Sequence, residues 1–364
     1  MIEIDGSKFE GGGAILRVAS VLSAVTKKSC FIFNIRKKRS KPGLMPQHLM
    51  GIQALAKLCN GRLEGDFLGS EEIKFWPGEI SSKDLHIKIE TAGSITLILQ
   101  TLILPCLFAS PSTGSGQAEP IKIIFNGGAT DTFFSPTIDH FRYVFLKILG
   151  KMAQSENTSR TVDVNVIKRG YYPEGGAKVE VKISPLFRQG FGGQTPKLKP
   201  FNLTERGSLR RITVISGASE FLKNKKVAER QTAGVREVLG KLKLPVEEKI
   251  EYYKTQCPGS QICIIAEFKN AIIGTDNLGK LGKRAEDVGK EAAMQLLKEQ
   301  KTGACLDKHS ADQILPFVAL TKSQSQFTAS EITNHCKTNI WVIEKFLNGK
   351  LEIKDNLISW TPIT

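Results

Sequence analysis

The stretch IEIDGSKFEGGGAILRVASVLSAVT, residues 2–26, decides how the fold is read. IEID alternates apolar and polar residues, the mark of a strand with one buried face. EGGG is a glycine turn. AILRVASVLSAVT then carries its apolar residues at helical spacing. A second strand, CFIFNIR, follows, then a basic loop, then the helix QHLMGIQALAKLCNG, for which Gly61 is the expected C-cap. Strands near 63–67 and 71–75 complete a unit of two helices and about four strands. The pattern then restarts. TAGS at 91–94 opens an apolar helix over 95–109, IKIIFNGG is the next strand, a helix covers roughly 136–153, and VDVNVIKRG and AKVEVKIS close the unit. A third helix pair is expected at about 282–300 and 309–321. Two helices on a small sheet, repeated, predict an α/β (α+β) protein built from pseudo-symmetric units.

Residues 185–202, PLFRQGFGGQTPKLKPFN, interrupt the rhythm with Pro, Gly and Gln and read as a linker. After them RRITVIS, a helix over about 224–242, KIEYYKT and QICIIAEF form a set of their own that ends near GTDNLG. This predicts a small α/β domain over 185–280, inserted into a large domain made of 1–184 and 281–364.

Composition narrows the function. The chain is 41% hydrophobic and 24% charged, as ordinary globular proteins are. Its 51 basic residues against 36 acidic give a net charge of +15, which favours a polyanionic partner, although a merely basic surface gives the same count. The polar, acidic start does not resemble a secretory leader. SITLILQTLILPCLFA, residues 94–109, is short for a membrane span and contains Gln100 and Pro105, so it is expected as a buried helix. The chain is therefore expected to be cytoplasmic, with no membrane partner. The seven cysteines include no CxxC pair and read as scattered, reduced thiols. Cys336 next to His335 is a poor nucleophile–base pair, because neighbouring side chains on a helix or strand point in different directions.

Three stretches carry chemistry. In EGGGAILR, residues 10–17, glycines at a strand-to-helix turn let backbone N–H groups approach an anion. Glu10 there could hold a divalent cation or be a solvated turn residue, and Arg17 lies about one helical turn beyond the turn. RKKRSKPG, residues 36–43, has five basic residues from Arg36 to Lys41 in a short loop at a sheet end. Such a loop suits phosphate contacts, and a solvated charge run is the plainer alternative. HSADQILP, residues 309–316, offers a ring and an Asp-Gln pair for a nucleoside, or simply an acidic helix start.

EGGGAILR, RSKPGLMPQHL, TAGSITLILQT, NGGATDTFFSPTIDHF, RGYYPEGGA, HSADQILPFVAL and HCKTNIWVIEKFL occur in this order. With them the sequence resembles the RNA 3'-terminal phosphate cyclases, from residue 2 to about 348. The resemblance implies three repeated two-helix, four-stranded units, similar to the C-terminal domain of a bacterial translation initiation factor, with a small inserted domain. It implies an ATP-dependent ligase-type nucleotidyl transferase. A histidine takes AMP from ATP and passes it to an RNA 3'-phosphate, and the vicinal 2'-OH displaces AMP to close a 2',3'-cyclic phosphate. It implies RNA 3'-phosphate ends and ATP as partners, and Mg²⁺ or Mn²⁺ as cofactor.

Residue by residue, His335 matches the nucleophile of the H-x-x-T-N motif. Asp312 and Gln313 match a ribose- and nucleotide-contacting pair, within an ATP-binding run that also includes His309, Ser310 and Ala311. His309 stands where relatives usually carry an adenine-stacking tyrosine. Pro136 matches the residue on the other face of the adenine, although GGATD has one residue more than the usual GGTD. Glu10 matches a metal ligand, and Arg17, Arg36, Arg39, Gln47 and Gln100 match phosphate- or nucleotide-contacting positions. Some proteins of this fold are non-catalytic scaffolds in ribosomal-RNA processing that lack the histidine. The presence here of His335, Glu10, Arg39 and Asp312 favours the enzyme.

Overall fold

The computed structural model describes residues 1–81, 83–110, 119–153, 161–186, 198–240 and 245–363. The middle of the expected linker, 187–197, lies outside them.

The first unit runs β1 (Ile2–Asp5), α1 (Gly13–Thr26), β2 (Cys30–Phe33), α2 (Pro46–Leu58), β3 (Arg62–Glu64) and β4 (Ile73–Trp76). Its sheet order is β1-β2-β4-β3, with β1 and β2 parallel and the other pairings antiparallel. The second unit repeats it. β5 (Leu85–Ser94), α3 (Ile95–Leu107) and β6 (Ile121–Ala129) are followed by a helical run of α4 (Ile138–His140), a π-helical turn Phe141–Phe145 and α5 (Leu146–Gly150). β7 (Val162–Lys168) and β8 (Lys178–Ile183) then close it. The order β5-β6-β8-β7 and the strand directions are those of the first unit.

The third unit is split. Its first strand is the two-residue β9 (Asn202–Leu203), which pairs in parallel with β14 (Ser325–Thr328). Between them lie β10 (Leu209–Ser219), α6 (Val227–Leu239), β11 (Val246–Tyr253), β12 (Ser260–Phe268), β13 (Ile272–Leu278) and α7 (Ala285–Lys301), whose strands form a separate sheet of order β11-β10-β12-β13. α8 (Lys308–Val318), β14, α9 (Asn334–Phe346), β15 (Gly349–Lys354) and β16 (Leu357–Pro362) complete the third unit as β15-β16-β14-β9.

The expected helix pair at 282–300 and 309–321 is therefore not a pair in space. α7 packs on α6, β12 and β13 of the separate sheet, and α8 packs on α9. Sequence adjacency misled here because a two-residue strand carries no periodicity. The cap of α2 also differs. Asn60, at φ 49°, takes the left-handed position, while Gly61 donates its N–H to the Ala56 carbonyl at 2.8 Å. A side chain at 61 would run into Phe75 and the Trp76 carbonyl.

The helices pack on one another at the centre. α1 touches α2, α3 and α9, and α5 touches α8, so all three units meet through helices. The sheets lie outside: strands such as β5 and β8 alternate buried and exposed residues along much of their length. Twelve of the thirteen α3 residues are buried, which answers the apolar segment: its surface is covered by helices and strands rather than lipid. Among the described residues no helix is long and apolar enough to cross a membrane.

Two buried charge clusters lock this arrangement. Arg169 donates to both oxygens of Asp139, at 2.6 and 2.7 Å, and to Asp131 at 3.0 Å, with its guanidinium 4.6 Å from the Tyr253 ring of β11. Asp307 caps α8 by accepting from the N–H groups of His309 and Ser310, and also accepts from Gly274 N of β13. His140 of α4 faces Asp307 at 3.5 Å. Burial works against the His140 imidazolium, but Asp307 and Asp276 override it and hold the ring's pKa up at about 9. A raised histidine pKa stabilises the folded state fully below the unfolded value near ~6.5 and loses that effect as pH rises through the folded one. His140→Asn is expected to cost about 3 kcal/mol at pH 7, and wild type's advantage over it should shrink as pH rises from ~6.5 through about 9. Urea unfolding of both proteins across that range measures it; an advantage independent of pH would show that the pair is not ionised.

Candidate active site

The glycine turn sets the site. Gly11 has φ +59°, a conformation that costs glycine little. A Cβ on Gly12 would stand 2.3 Å from Glu10 Oε1, and one on Gly13 would stand 2.2 Å from His48 Nε2. The missing side chains are thus the space that the Glu10 carboxylate and the His48 ring occupy. His48 is buried, and burial, together with the Arg17 and Arg36 charges, lowers its pKa to about 3, so it packs as a neutral ring.

Across from this turn α9 begins. Thr333 caps it by accepting from Cys336 N at 3.1 Å, and His335 lies in its first turn. His335 Nε2 lies 3.1 Å from Glu10 Oε2, and Arg39 reaches the same oxygen at 3.5 Å. The His335 side chain is 45% exposed and Glu10 13%. Burial lowers the His335 pKa, Glu10 opposes that, and Arg17 adds to it. The net direction favours the neutral imidazole, the nucleophilic form. Cys336, by contrast, is buried, and burial pushes its thiol up to about 12, which excludes a thiolate nucleophile.

Beside this pair opens a cleft of about 560 Å³, the open solvent at its mouth included. Arg17, Gln100, Asp312, Gln313, His335 and Asn339 supply its polar lining, and Val18, Phe145, Pro316 and Phe317 are among its apolar walls. Burial raises the Asp312 carboxyl well above its usual range and lowers the Arg17 guanidinium, while each opposes the shift of the other. Three buried oxygens here have no hydrogen-bond partner: Glu10 Oε1, Gln313 Oε1 and Asn339 Oδ1. Unpaired buried polar atoms are costly, and their concentration at one cleft marks groups positioned for a ligand.

The remaining residues lie elsewhere. Arg36, itself at φ 54°, donates to the carbonyls of Lys41 and Gly43, so its guanidinium holds the basic loop together. Gln47 Oε1 accepts from Ser94 N at 3.5 Å, and the Pro136 carbonyl accepts from Thr96 at 2.9 Å. Ser310 donates to Asp307, and Ala311 is buried. His309 is exposed and lines a different hollow, with Asp276, Glu291, Glu299 and Lys308. Sequence reasoning gave no role to Asn339, the last residue of the H-x-x-T-N motif, or to His48. Asn339 follows His335 by four residues, the spacing that puts both on one helix face, and its amide donates to the Asp312 carbonyl at 2.8 Å. Nothing local in the sequence indicated that His48 would wedge under Gly13.

A cation fits only in part. Among the described residues no group of three or more His, Cys, Asp or Glu could hold a metal ion. Glu10 Oε1, unpartnered beside the cleft, does fit a hard cation that takes its other ligands from phosphate oxygens.

The family model described as RNA 3'-terminal phosphate cyclase matches residues 8–353. Proteins named RNA 3'-terminal phosphate cyclase are similar along nearly their whole length. The one from Caldivirga maquilingensis is 41% identical over 97% of this chain and 94% of its own. That from Pyrococcus abyssi is 41% identical over 96% and 94%, and that from Sulfolobus acidocaldarius 43% over 97% of each.

The two glycines give opposite expectations. The atom that a methyl group at position 12 would meet ends a flexible side chain, so Gly12→Ala should displace the Glu10 carboxylate at little cost in stability. The His48 ring is buried, so Gly13→Ala should cost about 1–3 kcal/mol. Thermal unfolding of both variants checks this; equal losses would mean that the turn relaxes as a whole.

Proposed function

The chain belongs to the RNA 3'-terminal phosphate cyclase family, and from that premise we propose that it is the ATP-dependent enzyme that closes an RNA 3'-phosphate to a 2',3'-cyclic phosphodiester through a histidine-bound AMP. The observation that carries this reading is the contact of His335 with Glu10 at the edge of a cleft lined by Arg17, Gln100, Asp312 and Gln313. A scaffold needs no such arrangement of unpaired buried oxygens around one histidine.

In this reading the neutral His335 ring attacks the α-phosphorus of ATP, a bond to histidine nitrogen forms, and pyrophosphate leaves. Arg17 and Arg39 offset the negative charge that gathers on the leaving group. Asp312 and Gln313 orient the nucleoside. The lowered pKa of His335 spares the enzyme a deprotonation at neutral pH. Glu10 keeps the ring turned toward the cleft through the 3.1 Å contact. Glu10 is the residue that would hold Mg²⁺ or Mn²⁺, which would supply further charge neutralisation. The RNA 3'-phosphate then takes AMP from His335, and the neighbouring 2'-OH displaces it. That last step is intramolecular, so proximity removes much of its barrier. It also requires ribose at the end, which selects RNA.

On the same footing the chain divides into a large domain and an inserted small one. The packing of α7 favours ending the insert near residue 301 rather than 280. A cytoplasmic location accords with the free cysteines.

Incubation with α-labelled ATP and metal should put acid-labile, alkali-stable label on the protein. His335→Ala should abolish it, whereas His309→Ala, on a residue that lines a different hollow, should keep it; label on His335→Ala would refute the assignment. Glu10→Ala should slow labelling by more than about tenfold, roughly 1.4 kcal/mol. Because the His335 pKa lies below its ordinary value, the acid limb of the labelling rate should fall below pH ~6.5. Arg39→Lys keeps the charge but loses the guanidinium fork, so it should still cut cyclisation. Lys37→Ala should weaken RNA binding modestly, with a loss that fades as salt rises. Arg39→Lys activity equal to wild type would reduce the loop to an electrostatic surface.

A further inference from the structure

Phe9 is misplaced by every ordinary criterion. Its backbone has φ 48°, a left-handed conformation that is unfavourable for a bulky residue and natural for glycine. Its side chain is 47% exposed, so burial does not offset that cost. Strain of this kind persists where it serves a site. The next residue is Glu10, whose carboxylate meets His335. The Phe9 ring stands 6.1 Å from that of Trp341, tilted by 60°, and Trp341 belongs to α9, the helix that carries His335. The half-buried Trp341 and the exposed Phe9 thus form an aromatic pair flanking the nucleophile.

The surroundings are basic. Lys8 precedes Phe9 and is exposed. Lys337 and Lys345 lie one helical turn before and after Trp341, and both are exposed. Lys38 packs its Cβ near Gly11, and Arg39 reaches Glu10. Glu344, the acid nearest to Trp341 along α9, is turned to the N–H of Leu351 at 3.2 Å. Aromatic rings set among lysines are the means by which proteins hold single-stranded nucleic acid: bases stack on the rings while cations follow the phosphates.

Resting on the function proposed above, we propose that Phe9 and Trp341 form the stacking platform for the base of the RNA's 3'-terminal nucleotide, holding the end so that its phosphate faces His335. The cleft that holds Arg17, Gln100, Asp312 and His335 has neither Phe9 nor Trp341 in its walls, so the platform lies outside the nucleotide site.

The test uses Phe9→Gly, which removes the ring and relieves the backbone, so the variant should fold at least as well as wild type. Three quantities are measured: labelling by α-labelled ATP, KM for cyclisation of a short RNA with a 3'-phosphate, and binding of that RNA by fluorescence anisotropy. The expected result is labelling within about twofold of wild type, with KM and Kd for RNA raised about tenfold, the scale of one lost stack. Phe9→Tyr should restore both. An RNA whose terminal nucleotide lacks a base should bind wild type about tenfold more weakly and lose nothing more on Phe9→Gly. Unchanged RNA affinity in Phe9→Gly overturns the platform. So does a parallel loss of labelling and RNA binding, which would make Phe9 a prop for Glu10. If wild type takes no label from ATP, the proposed function fails, while the anisotropy comparison still decides the platform.

Discussion

The site depends on how closely the start of α1 approaches the start of α9. That approach is possible because residues 12 and 13 have no side chains. The Glu10 carboxylate fills one vacated volume and the His48 ring the other. Since α1 also packs on α2 and α3, its position is fixed by the first two units, while α9 brings the third. The glycine turn is where packing of the whole core becomes a distance of 3.1 Å between two side chains. Mispacking of any helix would be felt there, because close-packed interiors pass strain on rather than absorb it.

Much of this was legible in the sequence, and the parts that were not have physical reasons. Strand alternation and helical spacing are strong signals, so most elements of the two intact units were found within a few residues; β5 was not, because TAGS, which ends that strand, was read only as the opening of α3. The third was misdrawn because β9 is two residues long and its partner lies more than a hundred residues away. α7 has a good amphipathic face, but periodicity does not say which sheet that face will cover. In the site, chemistry-bearing motifs were visible because a glycine run, a basic loop and a histidine motif are local. What a side chain reaches is not local. Arg36 and Arg39 are alike in sequence context, yet one binds loop carbonyls and the other faces Glu10.

The charges of the cleft are arranged at a cost. Burial pushes Asp312 and Arg17 each toward its neutral form, and the two counter one another incompletely. With the unpaired oxygens of Glu10, Gln313 and Asn339, the cleft holds more polar groups than it satisfies. A polyanion with a sugar and a base can supply the missing partners. The structure thus puts electrostatic cost where binding energy is available to offset it; the clusters around Arg169 and Asp307 pair most of their charges within the protein, although Asp131 Oδ1 and both His140 ring nitrogens lack a hydrogen-bond partner.

The split third unit has a consequence for the order in which the chain can fold. During synthesis β9 emerges with no parallel partner, and β14 follows only after the whole of β10–α7 has been made. Those intervening elements pair with one another and can condense while β9 waits. Once they do, the span between β9 and α8 is held as a compact body instead of a long free loop, which reduces the entropy lost when the two ends meet. The third unit is then the last to close, and α9 lies near its end. In synthesis the histidine therefore follows both intact units and the separate sheet, so Glu10 is made more than three hundred residues before the partner it faces.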